Sequence, residues 1–217
     1  MLYLPKSFGC SPEEALGLMR AFPFATLILA GEPPLISHLP LLVDDSDNTL
    51  KIMGHFARAN PQARALAGKP AARVTAIFHG PHTYVTPNWY TEHDVPTWNY
   101  AVVHASGVLR LVEEAGPLKA ILAETSALFE APSPSPWEFA LPDDLADDRV
   151  LTRAIAGFVI EDVTLTGKFK LSQNRVAADQ QGVVTGLNSR GDPMSRAVAD
   201  LMTDRQEGRP ARPRPLR

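Results

Sequence analysis

The sequence predicts a mainly β protein with flanking helices, an α+β chain whose strands form an antiparallel sheet or barrel. Two observations lead there. Proline outnumbers glycine, 20 to 14, in a chain of 217 residues, and proline interrupts long helices while tolerating strand ends, edges and turns. Apolar runs at 24–30, 36–43 and 50–55 are separated by Gly31, Glu32, Pro33 and Pro34 and by a polar turn at 44–48, the pattern of hairpins in series.

The elements follow in order. Ser11, Pro12 and Glu14 spell a helix start: a capping serine, a proline at the first helical position and a capping-box glutamate. Leu16, Met19 and Phe22 then recur at helical spacing, and Pro23 ends the run. His38 and Pro40 fall inside the second apolar run, and a proline there marks a strand edge or a bulge. Residues 72–78 read as a strand, as do 102–112, with Gly107 a candidate bulge. Gly116 and Pro117 open a helix whose apolar positions Leu118, Ile121, Leu122, Leu128 and Phe129 keep the helical period; it stops before Pro132. Residues 147–156 read as a further helix and 157–165 as the last strand. The end, 205–217, alternates arginine and proline. It reads as a disordered or extended polyproline-like tail, either solubilising or in weak contact with nucleic acid.

Composition sets limits. Hydrophobic content of 45% supports a core. The net charge of −3 excludes a broad basic surface. A single cysteine, Cys10, excludes an internal disulfide and fits a reducing compartment. The start lacks the marks of a signal peptide, and no apolar run approaches the ~18 residues of a membrane span. A cytoplasmic soluble protein is expected. The sequence holds no P-loop, Rossmann fingerprint, HExxH or CxxC. No helix-turn-helix is apparent, because the two best helices are separated by a whole sheet. Cys10 has no basic partner nearby, and no nucleophile–base pair stands out.

Three stretches carry chemistry. Residues 77–100 hold two of the three tryptophans, three of the four tyrosines and three of the six histidines. Rings on a proline-stiffened backbone suit a surface that holds a ligand, or a loop that plugs one end of a β core. At 55–62, Asn60 caps a short helix opened by Pro61, with Arg58 beside it. That combination is a phosphate cradle or a plain cap with a solvated arginine. At 167–175, an extended chain places Lys168, Lys170 and Ser172 on one face and Phe169 and Leu171 on the other. This is a polar comb for an anionic ligand, or a solvated basic turn before a helix. His79, His82, His93 and His104, with Glu92 and Asp94, are a rival set of ligands for a metal or haem iron. The spacing of His79 and His82 around Pro81 is not a recognised ligand pattern, and each histidine also reads as a hydrogen-bonded loop residue.

Four stretches carry a resemblance: MLYLPKSF at the start, HFARANPQ at 55–62, FHGPHTYVTPNWY at 78–90 with VPTWNYAVVHASG at 95–107, and GFVIEDVTLTGKFKLSQNR at 157–175. They resemble PaiB, the bacterial FMN-binding negative transcriptional regulators, whose split-barrel fold is related to pyridoxamine-phosphate oxidase. The resemblance implies an FMN-binding split barrel, a Greek-key antiparallel β-barrel with flanking helices, homodimeric, with FMN at the dimer interface. It covers one domain over 1–204 and leaves 205–217 as a tail. It also implies a role in repressing transcription, although no motif that reads DNA is present. FMN needs cations or helix-terminal amides for its phosphate, a wall for its ring and donors for its pyrimidine edge. Arg58 and Asn60 would serve the phosphate, joined by Lys168 or Lys170 from the same chain or a partner. Trp89, Tyr90 and Trp98 would wall the ring. Asn99, Ser172, Gln173 and Asn174 would supply donors. The alternatives are a flavin-dependent oxidoreductase or flavin reductase acting on a small substrate, and a haem-binding or cofactor-free split-barrel dimer.

Overall fold

A computed structural model describes residues 2–47, 49–92 and 94–216. Asn48 of the expected polar turn, His93 of the histidine set, Met1 and Arg217 lie outside them. The strands are β1 (Phe24–Leu29), β2 (Leu35–Pro40), β3 (Leu42–Asp44), β4 (Lys51–Ala57), β5 (Ala72–Val85), β6 (Thr97–Val112) and β7 (Ile155–Lys170); the helices are α1 (Pro12–Ala21), α2 (Pro61–Leu66), α3 (Ala115–Glu130), α4 (Asp148–Ala154), α5 (Ala177–Arg190) and α6 (Pro193–Gln206). Among the described residues, no helix is long and apolar enough to cross a membrane.

The strands form one sheet in the order β2-β1-β5-β6-β7-β4-β3. β1 pairs with β2, β3 with β4 and β4 with β7, all antiparallel. The run expected as one strand over 36–43 is two. Pro40 ends β2 on β1, and Leu42 begins β3 on β4. The first and last strands of the order are therefore joined by Leu41 alone. A sheet whose two edges share one residue has to curl, as barrels do. Leu41 is buried, and its N–H donates to the Pro23 carbonyl at 2.9 Å.

The chain divides into two compact units, and β5, β6 and β7 contribute residues to both. One comprises Pro23–Ala76 and Ala105–Thr164. Its core includes Phe56 and Phe158, with ring centroids 4.6 Å apart. A second cluster, Leu118, Leu122 and Leu151, is covered by Val112, Phe139, Leu141 and Ile155. The α3 stripe read from the sequence thus supplies a core. At Gly107 β6 and β7 approach closely: a Cβ there would lie 2.6 Å from the Glu161 carbonyl oxygen and 2.7 Å from Ile160 Cγ2. Its role is close approach within a continuous strand.

The other unit comprises Met1–Phe22, Ile77–His104 and Leu165–Arg217. α1 starts as expected: Glu14 N–H donates to Ser11 Oγ, and the Glu14 carboxylate accepts from Ser11 N–H. Three features differ from the sequence reading. β5 runs through Phe78 to Val85, so most of the aromatic stretch is strand, and only 86–96 links β5 to β6. α5 and α6 follow the basic segment, joined by Gly191 and Asp192, with Gly191 at φ +73°; these two helices are neighbours where the sequence offered none. Their apolar positions are interrupted by Gly182, Gly186 and many polar residues, which hides the helical period. The expected disordered tail is packed: Ala211 is fully buried, and its N–H donates to Glu14 Oε1 at 2.8 Å.

Gly107→Ala should destabilise the fold by about 1–3 kcal/mol, because the atoms it meets include backbone. Gly116→Ala in α3, where a Cβ meets nothing within 4 Å, should be neutral or stabilising by up to about 1 kcal/mol. Urea unfolding of both variants checks the pair.

Candidate functional site

β5 and β6 lie side by side in the sheet. In β5, Phe78, Gly80, Pro81, Thr83 and Val85 are buried while His79, His82 and Tyr84 are exposed. In β6, Asn99, Ala101, Val103 and Ala105 are buried. Strand alternation therefore turns Trp98, Tyr100, Val102 and His104 to the opposite face. Trp98 is 54% exposed. Its ring centroid lies 6.2 Å from His82 and 6.3 Å from Tyr84, the latter edge-on. A cavity of about 360 Å³ opens here, lined mainly by His79, Gly80, His82, Trp98, Tyr100 and Val102. Burial, aided by the neighbouring His79, pushes the His104 imidazole below its usual pKa. Near neutral pH it is therefore an uncharged ring.

Cations border this unit's strands. Lys170 Nζ donates to Thr97 Oγ1 and, at 2.8 Å, to the Trp98 carbonyl. Burial and then the charge of Lys168 lower its pKa. Two of its three donors are used, leaving one. Lys168 is buried, donates to the Tyr3 carbonyl at 2.9 Å, and sits 5.1 Å from the Tyr3 ring and 5.6 Å from the Tyr100 ring. The expected comb is thus divided. Lys170 stays partly open, and Lys168 holds the N-terminal segment.

The other expected donors turn inward. Asn99 and Ser172 are buried, and Asn99 Nδ2 donates to Ser172 Oγ at 2.9 Å while Ser172 Oγ donates to Asn99 Oδ1 at 3.2 Å. Ser172 adopts φ +61°, so the extended backbone expected through it ends at Lys170. Gln173 braces the same turn, accepting from Leu171 N–H and donating to the Phe169 carbonyl. Asn174 is exposed.

Trp89 packs on α5. A Cβ at Gly186 would lie 2.2 Å from its ring, and one at Gly182 would lie 2.1 Å from its carbonyl oxygen. The Arg190 guanidinium sits 4.5 Å from the ring centre and donates to the Tyr84 carbonyl at 2.6 Å. Tyr90 lies 4.6 Å from the Arg175 guanidinium, which pairs with Asp94; the Tyr90 hydroxyl is buried without a hydrogen-bond partner among the described residues. Asp179 accepts from Thr91 N–H and Oγ1, each at 2.7 Å, and these bonds hold its carboxyl below the usual carboxylate range.

Arg58 and Asn60 belong to the other unit. Arg58 Nε donates to the carbonyls of Thr152 at 2.8 Å and Ile155 at 3.2 Å. Asn60 caps α2 through Gln62 N–H and donates to Ser37 Oγ at 2.9 Å. The nine remaining expected residues, from Trp89 to Asn174, lie in the unit that carries the aromatic face. His82, expected only in the rival metal or haem set, and Tyr84, Tyr100 and Val102, assigned to no site, complete that face. Alternation along β6 was the signal for Tyr100 and Val102, whereas in β5 the consecutive buried Gly80 and Pro81 break it. Among the described residues, no group of three or more His, Cys, Asp or Glu side chains is placed to hold a metal.

An aromatic cavity beside a lysine with a spare donor fits the ring and anionic character of a flavin mononucleotide. Asn99 and Ser172 satisfy each other in the interior rather than facing the cavity.

Two groups outside the cavity give direct tests. Asp179 has a depressed pKa, so its contribution is present above the ordinary carboxylate value of ~3.9 and is lost as pH falls through the lower folded value. Asp179→Asn should lower stability at neutral pH and shrink the loss on acidification, measured by thermal melts from pH 7 to 3. Burial, then Glu14, pushes the Cys10 thiol up to about 11. Iodoacetamide at pH 8 should alkylate it on the order of 100-fold more slowly than an ordinary thiol.

The sequence profile of the family described as "Putative FMN-binding domain" matches residues 2–163. The "Protease synthase and sporulation protein PAI 2" of Bacillus subtilis is 31% identical over 211 residues, covering 94% of this chain and 98% of that protein. An uncharacterised protein of Emericella nidulans is 31% identical over 88% of this chain and 91% of its own length. Among solved structures, the FAD and heme binding protein from Mycobacterium smegmatis superposes with a TM-score of 0.58 at 16% identity, over 81% of this chain and 79% of that one. The flavocytochrome Anf3 from Azotobacter vinelandii gives 0.52 at 14% identity, over 73% and 67%. At such identities the likeness concerns the fold alone. The chain belongs to the FMN-binding, PaiB-like family of split-barrel proteins.

Proposed function

We propose that this protein binds FMN as a homodimer and acts in the cytoplasm as a negative transcriptional regulator. The observation that carries the flavin reading is the half-exposed Trp98, ringed by His82 and Tyr84 at the mouth of an apolar cavity beside Lys170. Trp98 and Tyr100 would wall the isoalloxazine ring. Lys170 would supply positive charge through its remaining donor. Asn174 would reach the cofactor's polar edge. Bound FMN would supply reversible redox chemistry.

A second copy of the chain would extend the same reading. Trp98 and Tyr84 are large rings left open on adjacent strands, and a flat cofactor held between two copies would cover them. Arg58 of the second copy would then be a candidate for the phosphate, since among the described residues its terminal nitrogens meet only Glu113, at 4.0 Å. The regulatory part rests on kinship with the Bacillus protein named for protease synthesis and sporulation. Oxidation of NAD(P)H by the flavin-loaded protein would instead favour a reductase.

The purified protein should be yellow, or take up added FMN, and sediment at twice the chain mass. A colourless protein that ignores FMN would sink the proposal. Lys170→Ala should weaken FMN binding about tenfold, as expected for one hydrogen bond to a charged group, without altering the dimer. Fluorescence titration reads this, and equal affinity would remove Lys170 from the site.

A further inference from the structure

The C-terminal segment is pinned to the unit that carries it. Ala211 is fully buried, and its N–H reaches Glu14 Oε1 at 2.8 Å. Arg212 N–H donates to Asp204 Oδ2 at 3.2 Å. Pro213 is half-buried, its Cδ 3.7 Å from where a Cβ on Gly17 would stand. The side chains of Arg212, between these anchors, and Arg214, just beyond them, are exposed. Pro210, Pro213 and Pro215 stiffen the chain, so the two guanidinium groups are carried on a backbone with little freedom to lose.

They share a groove of about 460 Å³ with α6, lined by Arg196, Ala197, Asp200, Arg212, Arg214 and Leu216 among others. Other arginines of this unit are matched to acids: Arg175 to Asp94, Arg205 to Glu14, and Arg209 to Asp204 and Glu207. Those of the groove are matched less fully: Arg196 and Arg214 form no ion pair among the described residues, and Arg212 pairs with Glu13 at 3.8 Å, both side chains well exposed. Asp200 is the one acidic residue in the lining, so three cations face one anion.

We infer that this groove binds the phosphodiester backbone of duplex DNA without reading its sequence. Arginine suits phosphate because its planar fork donates two parallel hydrogen bonds. Guanidinium groups two residues apart on an extended chain sit about 6 Å apart along it, which favours phosphates presented in series over a single anion. The local surplus coexists with an overall charge of −3, so contact would be confined to this face. Nucleic acid as the partner rests on the regulatory reading above; the groove is lined by none of the residues assigned to FMN.

The test is fluorescence anisotropy of a labelled 30-base-pair duplex with the full chain, from 50 to 200 mM salt. Three phosphate contacts give a slope of log K against log salt near −3, a loss of about fortyfold over that range. R212A/R214A should flatten the loss to about fourfold. R149A/R153A removes the same charge from exposed positions on α4 and should behave as wild type. R196A, one substitution on an exposed helix face, should lower the slope by about one and serves if the double variant fails to fold. All variants should keep their affinity for FMN. Equal slopes in wild type and R212A/R214A would overturn the groove and leave the regulatory reading intact. A wild type that binds no duplex would overturn both and leave the flavin reading intact. Binding to anionic phospholipid vesicles that the duplex cannot compete away would assign the groove to a membrane and overturn the inference.

Discussion

The exchange of hydrogen bonds between Asn99 and Ser172 is the constraint on which the aromatic face depends. Asn99 lies between Trp98 and Tyr100, and strand geometry sends neighbours to opposite faces. Holding Asn99 inside therefore holds both rings out. On the other strand, Ser172 stands where β7 has just ended, in a left-handed conformation that turns the chain toward α5. Both groups are buried, so either one left alone would cost about 1–3 kcal/mol. Asn99 Nδ2 also reaches Met202 Sδ at 3.4 Å, which brings α6 into the same small network.

That turn has a consequence for the loop over 86–96. α5, launched by it, presents Gly182 and Gly186 as a flat bed for Trp89, with Arg190 on the ring. Asp179 then ties down Thr91, and Arg175 ties down Asp94. The loop is held from one side by α5 and the segment that leads into it. Its rings and carboxylates are used to build the scaffold, and the rings left facing outward are those on the strands.

Glu14 plays a comparable part at the other end of the unit. It completes the cap of α1, pairs with Arg205 at 3.1 Å and accepts the backbone of Ala211. A buried carboxylate needs several partners to offset the water it loses, and here they come from three parts of the chain. The basic tail is anchored in part because Ala211 supplies one of the donors this buried acid needs.

By itself the sequence determined what is local. The α1 capping box, the Asn60 cap of α2, the α3 stripe and the strand of 24–29 were legible because each rests on residues a few positions apart. The motifs shared with the PaiB-like family were legible for the same reason, and with them the split barrel. Tertiary structure decided what depends on distant partners. Whether His79–Tyr84 is loop or strand depends on β6 beside it, since Gly80 and Pro81 interrupt the alternation that would announce a strand. Whether Lys168 meets a ligand or Tyr3 depends on a carbonyl more than 160 residues away. Asn99 and Ser172 look like ligand donors in the sequence because a polar side chain carries no mark of which partner will satisfy it. Only when β6 and the end of β7 come together do the two find each other, and the open face passes to Trp98, Tyr100 and Lys170.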